Sequence, residues 1–288
     1  MQFGFEERDY VIQGFGSGLI NSTWQVEAGN EKFILQRINN KIFKNPEDIA
    51  FNIQMIGDHL KEHFPEYLFV TPRKTTDGKV LVKTNDGYFR MFPFVQGSHT
   101  INVVENPGQA YEAAKQFGRF TKLLSGLNAT DLKITLPDFH DLSLRYQQFE
   151  EVLKTGNHDR IEQSKDVIAL IVENKRIVEE YESCKTKFKI RCTHHDTKIS
   201  NVLFDERDKG LCVIDLDTVM SGYFISDVGD MMRTYLCPVS EEERDFSKIT
   251  VRKDLYDAIV SGYLSQMGEE LNDVEKKYFH YAGKFMIY

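Results

Sequence analysis

Residues that can accept a proton and bind a divalent cation lie close together in the second half of the chain. Asp196 stands in a short polar stretch, where a carboxylate can accept the proton of an attacking hydroxyl group. Asn201 and Asp215 offer hard oxygen ligands, which suit a Mg²⁺ ion that keeps several waters and bridges nucleotide phosphates. These residue types indicate transfer of a phosphoryl group from ATP to an alcohol.

The spacing of these residues narrows the chemistry. The pattern His194-x-Asp196-x-x-x-x-Asn201, followed by a β-type run that ends in Asp215, is similar to the catalytic loop and metal-binding strand of protein-kinase-like phosphotransferases. The histidine of such loops braces the backbone. A zinc site is disfavoured, because neighbouring residues of an extended loop point to opposite sides and the chain has no HExxH motif or CxxC pair. A glycosyltransferase DxD, with Asp217 as second acid, would leave the upstream loop unexplained.

A β-hairpin should hold the acids in place. Apolar runs at 202–204 and 211–214 flank a polar turn at 206–210, so the two strands end near Asn201 and Asp215.

Glycines near the N-terminus can approach phosphate groups. Residues 10–38 predict three strands, and the first turn places Gly14, Gly16 and Gly18 at alternate positions around Ser17. Backbone N–H groups in such a turn can bind phosphate oxygens, which makes Gly16, Ser17 and Gly18 candidates for nucleotide binding. A hairpin turn without a ligand is the alternative, and a Walker A loop is excluded because no Gly-Lys-Ser/Thr follows.

A cation near the end of the third strand is the next candidate. Kinase-like folds place a cation there to hold the α- and β-phosphates, and Arg37 could do this with its guanidinium fork. A solvated arginine at a strand end is the alternative. The helix predicted to start at 45–48 would supply a carboxylate partner, either Glu47 or Asp48, although both also complement the helix dipole.

Further strands are expected at 67–71, 79–83 and 88–95. A hinge at the end of the last strand would bind adenine through its backbone, with Phe92 and Phe94 as apolar walls.

Helical periodicity dominates after Pro107. We therefore predict an α+β, bilobal, protein-kinase-like fold, with a small antiparallel-sheet lobe at 1–97 that binds the nucleotide. A mostly helical lobe at 98–288 would carry the catalytic loop and bind the acceptor.

Candidate acceptor-binding residues lie on either side of the catalytic loop. His140 and Asp141 follow an aromatic turn, where they could face a substrate or cap the next helix. Asp227 and Asp230 are expected at a helix start, where they could brace the catalytic loop, and Arg233 could pair with an acid or a substrate one turn later.

Composition excludes several classes of protein. The 288 residues are 41% hydrophobic, which is a globular value, and a formal charge of −8 without a basic run argues against nucleic-acid binding. Four scattered cysteines predict free thiols, and no stretch approaches the length of a membrane span. We expect a cytoplasmic protein, monomeric or homodimeric, that acts on a small molecule.

Taken together, these motifs resemble those of one known superfamily of enzymes. It resembles the aminoglycoside-phosphotransferase and choline-kinase superfamily, and within it the bacterial N-acetylhexosamine 1-kinases. The segments that carry the resemblance are 14–21, 33–39, 89–94, 195–201 and 214–220.

The resemblance implies ATP-dependent phosphorylation of the anomeric hydroxyl of N-acetylglucosamine or N-acetylgalactosamine. It implies that Asp196 is the base and that Asn201 and Asp215 bind Mg²⁺, with Asp217 as a further candidate ligand. Lys198 would stabilise the transferring phosphoryl group.

Two departures from the family accompany the resemblance. Ser221 replaces a proline common in relatives, and family members usually continue through helices beyond the position of Tyr288 that help to bind the sugar. The expectation is therefore that part of the acceptor pocket is missing. A kinase of another small alcohol, such as an aminoglycoside, choline, homoserine or a ribose derivative, stays open, as does a truncated nucleotide-binding protein without turnover.

Overall fold

Five antiparallel strands form the N-terminal sheet. The computed structural model describes residues 2–5, 10–16, 20–239 and 243–288. The strand order is β1-β2-β3-β5-β4. The strands are β1 (Tyr10–Gly14), β2 (Ser22–Ala28), β3 (Glu31–Ile38), β4 (Val82–Thr84) and β5 (Gly87–Pro93). The predicted strand-turn-strand-turn-strand pattern of residues 10–38 is confirmed, and a positive φ at Gly29 forms the second turn.

The two faces of this sheet differ in chemistry. Val26, Phe33 and Met91 form a small apolar cluster on the outer face, against which Phe3 and Phe5 pack. Side chains alternate along a strand, so the even-numbered residues of β3 and Arg90 of β5 lie on the inner face. That face looks toward the helices and the catalytic loop.

Helix α1 (Pro46–His63) packs against the inner face of the sheet. Its isoleucines recur at helical spacing, and Ile49, Ile53 and Ile56 are at most 1% exposed. Asn52 on the same helix donates hydrogen bonds to the backbone oxygens of Lys133 and Val219. The helix therefore fixes the sheet relative to the segment that follows Asp217.

The strand expected at 67–71 is not formed, and this prediction was wrong. Phe69 and Thr71 instead lie against α1 at Gly57, where any added Cβ would meet both side chains. The alternating pattern of this segment thus reflects burial against a helix rather than pairing with a strand. The next two strands form, but β4 begins later and β5 ends earlier than the sequence predicts.

Helices make up most of the structure after β5. They are α2 (Pro107–Leu123), α3 (Leu142–Thr155), α4 (His158–Gln163), α5 (Lys165–Glu173), α6 (Arg176–Cys184), α7 (Phe224–Tyr235), α8 (Lys253–Met267), α9 (Asp273–Lys277) and α10 (Tyr281–Ile287). The start predicted at Pro107 is confirmed, since Asn106 caps α2 by accepting from Gln109 N.

Two short strand pairs lie between the helices and hold the catalytic region. They are β6 (Arg191–Thr193) with β9 (Met220–Gly222), and β7 (Val202–Phe204) with β8 (Gly210–Val213). The second pair is the hairpin that the sequence predicts. The predicted α+β, kinase-like fold class is confirmed.

Helices α2 and α8 approach closely at glycines. A Cβ on Gly262 would overlap the backbone oxygen of Tyr111, and a Cβ on Gly118 would lie 3.0 Å from the backbone oxygen of Tyr263. Backbone atoms cannot move aside as a flexible side chain can, so these positions require glycine.

Replacing Gly262 by alanine should lower the free energy of unfolding by about 1–3 kcal/mol, because overpacking outweighs the gain of about 1 kcal/mol in helix propensity. Urea unfolding would measure this difference in the free energy of unfolding. Gly14→Ala is the control, since no heavy atom lies within 4 Å of the Cβ it adds. Equal stability of both variants would contradict the close approach.

The division at residue 97 stays a prediction, as do the cytoplasmic location and the oligomeric state. His99 pairs with Phe204 through two backbone hydrogen bonds, so the chain contacts the catalytic hairpin directly after the proposed hinge. All four cysteines are free thiols. Among the described residues, no helix has both the length and the apolar character needed to cross a membrane.

Candidate active site

Asp196 lies on the loop between β6 and β7 and is held by two neighbours. Asn201 donates from Nδ2 to the backbone oxygen of Asp196 at 2.9 Å and to its Oδ2 at 3.1 Å. Lys198 Nζ lies 3.9 Å from the other carboxylate oxygen, Oδ1. The carboxylate is thus fixed in direction while it stays partly accessible, as a group that accepts a proton requires.

His194 holds the backbone of this loop through two hydrogen bonds. Its Nε2 donates to Ile214 O at 3.0 Å, and Asp196 N donates to its Nδ1 at 3.4 Å. One ring nitrogen donates and the other accepts, which requires the neutral imidazole. The ring is buried and meets Phe117 edge-on. These contacts link the loop to the end of β8 and agree with the structural role expected for His194.

Two aspartates of α7 bind backbone amides of the loop. Asp227 accepts from His195 N at 2.8 Å and from His194 N at 3.2 Å, and Asp230 accepts from Thr197 N at 2.6 Å. Asp227 lies in the first turn of α7, as expected, and Asp230 follows three residues later; both accept from amides of the loop rather than from amides of their own helix. Burial raises the pKa of Asp227, whereas its amide donors favour the ionised form.

Asn201 and Asp215 form the candidate metal site. Asn201 Nδ2 is used by Asp196, so its remaining ligand atom is Oδ1. Asp215 stands in the left-handed region with φ 60° and is exposed to solvent. The protein around it still limits hydration of the carboxylate, and this limit, followed by the negative charge of Asp217, raises its pKa.

These two donors fit Mg²⁺. A divalent cation would offset the unfavourable charge at Asp215, and two hard oxygen ligands suit an ion that keeps waters and shares phosphate oxygens. In the part of the chain that the structure describes, no group of three or more His, Cys, Asp or Glu side chains could hold a metal ion.

Asp217, the further candidate ligand, contacts Arg90 of the N-terminal sheet and Asn21 before β2. Its Oδ1 lies 2.5 Å from Arg90 Nη1, and its Oδ2 accepts from Asn21 Nδ2 at 2.8 Å. Arg90 also donates from Nε and Nη2 to Gln36 Oε1, at 3.1 and 2.9 Å. Arg90, Gln36 and Asn21 were not predicted as site residues; the available signal in the sequence was a single charge within the apolar run of β5.

The structure does not bring Arg37 to this group. It follows Gln36 on β3 and therefore points to the opposite face, where it is exposed and donates to Ser22 Oγ. The expected partners Glu47 and Asp48 occupy the first turn of α1, and the ion pair of the inner-face arginine is formed with Asp217 instead. Gln36, one position before Arg37, is the β3 residue that faces the site, and the cation beside it is Arg90 of β5.

Aromatic residues surround the expected nucleotide position. Phe15 of the glycine-rich turn meets Phe94 edge-on at 6.2 Å, and Phe92 lies with its ring centroid 5.0 Å from Arg90 Cζ. Gly16 has φ +74°, a conformation that favours glycine. The other two candidates of this turn, Ser17 and Gly18, lie outside the described residues.

A strained turn presents His140 near Asp196. Asp138 and His140 both have positive φ, and Arg145 Nη2 donates to Asp138 O. Asp141 caps α3 by accepting from Leu144 N, as the capping alternative predicts. The His140 ring stacks on Phe139 at 4.0 Å.

Charges around this turn keep His140 neutral. Burial, then the positive charges of Arg233 and Arg145, lower its pKa to about 4, although Asp196 opposes the shift. Arg233 donates from Nε and Nη2 to Asp230 Oδ1. His140, Arg233 and Asp196 are therefore close enough to influence one another electrostatically.

Acid should destabilise the protein through His195. Burial, followed by His140 and His194, lowers its pKa to about 3. An unfolded histidine titrates near pH 6.5, so this stability is fully present above pH 6.5 and falls by about 1.4 kcal/mol per pH unit below it. His140 contributes in the same direction.

Urea unfolding at pH 5.5 and 6.5 would measure this dependence. His195→Gln should flatten it, whereas His158→Gln, which changes an exposed histidine, should not. An unchanged slope in His195→Gln would contradict the assignment.

The chain is similar to several known proteins. A model of the phosphotransferase enzyme family matches residues 11–248. A microcompartment-associated aminopropanol kinase has a similar structure, with TM-score 0.57, 15% identity, and coverage of 96% of this chain and 82% of the other. An aminoglycoside phosphotransferase from Alicyclobacillus acidocaldarius has TM-score 0.55 and 14% identity, and the match covers 96% of this chain and 78% of the other. A spectinomycin phosphotransferase in complex with ADP and spectinomycin has TM-score 0.51 and 12% identity, and the match covers 99% of this chain and 90% of the other.

Proposed function

This chain belongs to the phosphotransferase enzyme family, and from that premise we propose that it transfers the γ-phosphoryl group of ATP to a hydroxyl group of a small molecule. The observation that carries the proposal is the position of Asp196, whose carboxylate lies between Lys198 and Asn201 on a loop bound through its amides to Asp227 and Asp230. A solved relative contains ADP, which supports a nucleotide as the phosphoryl donor.

Asp196 acts as the base in this proposal. The hydroxyl oxygen attacks the γ-phosphorus and its proton passes to the Asp196 carboxylate, while the bond from the γ-phosphorus to the bridging oxygen breaks and ADP leaves. Lys198 places a positive charge beside the carboxylate, where it can stabilise the transferring group. Asn201 and Asp215 would hold Mg²⁺, which supplies charge neutralisation at the phosphates.

The nucleotide would lie under the N-terminal sheet. Phe92 and Phe94 would contact adenine, and the turn containing Gly16, Ser17 and Gly18 would approach the phosphates. The short distance between Phe15 and Phe94 supports this, because it brings the turn to the hinge. Residues 1–97 would then be the nucleotide-binding lobe and 98–288 the lobe that binds the acceptor.

The acceptor is proposed to be an N-acetylhexosamine that is phosphorylated at its anomeric hydroxyl. His140 and Arg233 would contact it, with Asp141 fixing the turn. Arg233 and Arg145 place positive charge beside His140, while Asp196 and Asp230, the ion-pair partner of Arg233, place negative charge there, so the choice of acceptor rests on the family resemblance. Cationic acceptors such as choline or an aminoglycoside call for a negative pocket. The family resemblance favours the hexosamine among neutral alcohols.

Release of ADP with different acceptors would test the function. The panel contains N-acetylglucosamine, N-acetylgalactosamine, choline, homoserine and kanamycin, each with ATP and Mg²⁺. We expect turnover with an N-acetylhexosamine and none with choline or kanamycin. Turnover of a cationic acceptor alone would retain phosphoryl transfer and reject the hexosamine. No turnover with any member despite ATP binding would support a nucleotide-binding protein without activity.

A further inference from the structure

Arg90 is a buried cation at the boundary between the N-terminal sheet and the catalytic region. Its side chain is 2% exposed, and Asp217, which carries its opposite charge, is 4% exposed. A buried charge is costly unless it is paired and hydrogen-bonded. Arg90 therefore has either a structural or a functional reason to occupy this position.

The hydrogen bonds of Arg90 are incomplete. Nε and Nη2 both donate to Gln36 Oε1, and Nη1 forms an ion pair with Asp217 Oδ1 at 2.5 Å. A guanidinium carries five N–H donors in a planar fork, and these contacts use three of them. Two N–H groups of Arg90 therefore have no partner among the described residues and are available for another acceptor. An ion pair built for stability alone would use them.

The position of Arg90 relates it to the candidate metal site. Its counter-ion Asp217 stands two residues after Asp215, the carboxylate proposed to hold Mg²⁺. Phosphates that share a cation with Asp215 would bring their negative charge to the same region. Gln36 lies opposite Arg90 on β3 and holds the guanidinium, while Arg37 points away.

A second chain of contacts links Arg90 to the glycine-rich turn. Asp217 Oδ2 accepts from Asn21 Nδ2, and Asn21 Oδ1 accepts from Asn39 N at 3.0 Å. Asn21 immediately precedes β2 and Asn39 follows β3, so hydrogen bonds through Asn21 connect the end of the turn, the end of β3 and the segment after Asp215. The groups expected on three sides of the phosphates are therefore joined.

We propose that Arg90 binds the phosphates of the nucleotide, that Gln36 positions its guanidinium, and that Asp217 is its counter-ion rather than a metal ligand. The proposal rests on the proposed use of ATP and names the residue on the sheet that recognises it. It replaces Arg37 with Arg90 in that role.

Calorimetric titration with ADP and with adenosine, both in EDTA, distinguishes the contribution of the phosphates to affinity from that of the nucleoside. In Arg90→Met we expect ADP to bind about 10- to 100-fold more weakly, the effect of losing a charged hydrogen-bond donor, while adenosine affinity changes less than about threefold. Arg37→Met removes the same side chain from the other face of the sheet, and we expect no change in either affinity. A loss of ADP affinity in Arg37→Met but not in Arg90→Met would overturn the proposal.

A second variant covers the case in which Arg90→Met does not fold, since it leaves Asp217 buried without its counter-ion. Gln36→Met keeps the ion pair and removes the acceptor that orients the guanidinium, together with a 3.4 Å hydrogen bond from Gln36 to Thr23 Oγ1. It should lower ADP affinity about 3- to 10-fold at unchanged adenosine affinity, roughly the effect of one hydrogen bond. Equal ADP-to-adenosine ratios in Gln36→Met and the unaltered protein would show that this network is only structural.

The outcomes also distinguish this proposal from the proposed function. If the unaltered protein binds no ADP, the ATP-dependent function fails and this proposal fails with it. If it binds ADP and the ratio is unchanged in the Arg90 and Gln36 variants, only this proposal fails.

Discussion

Replacing Asp196 by asparagine should lower kcat about 10²- to 10⁴-fold, the usual contribution of a positioned general base. Asparagine keeps the size of the side chain and can still accept the hydrogen bond from Asn201 Nδ2, so the loop should keep its conformation. What it loses is the ability to take the proton of the acceptor hydroxyl. The KM values of ATP and acceptor should therefore change little.

Steady-state kinetics with the acceptor found in the panel would measure this effect, and calorimetry would confirm that ADP still binds. Asp159→Asn is the matched control, since it makes the same chemical change at an exposed position of α4. A variant at Asp196 that retained more than about a tenth of the activity would contradict the base assignment, because a bound alcohol would then not depend on that carboxylate.

Replacing Asp227 by asparagine should both destabilise the protein and reduce activity. Each carboxylate oxygen accepts one loop amide, from His194 and His195, and an asparagine has only one oxygen to offer. The second amide would face an NH₂ group, and a buried unsatisfied donor costs about 1–3 kcal/mol. Because these amides belong to the residues before Asp196, we also expect kcat to fall.

Chemical denaturation and kinetics would test this prediction together. Asp273→Asn, at an exposed position in the first turn of α9, should shift stability by no more than about 0.5 kcal/mol. Full stability and full activity of Asp227→Asn would show that α7 does not hold the loop. Loss of stability with normal kcat at low temperature would separate a role in folding from a role in positioning Asp196.

Local sequence patterns were enough to predict several elements of this protein. Alternating residues and glycines predict the first three strands, Pro107 after Asn106 predicts the start of α2, and the polar turn at 206–210 predicts the catalytic hairpin. Five short segments, among them 195–201 and 214–220, were sufficient for the superfamily, because each motif is contained in a few consecutive residues. The family match confirms that conclusion.

Only the tertiary structure decided which residues meet across long stretches of chain. The face of β3 that looks inward depends on its pairing with β5, and a shift of one residue exchanges Arg37 for Gln36. The partner of Arg90 comes from a segment more than a hundred residues away, so no local pattern could identify Asp217 as a counter-ion. Ion pairs and face assignment depend on how separate elements pack, whereas strands, turns and caps depend on their own neighbours.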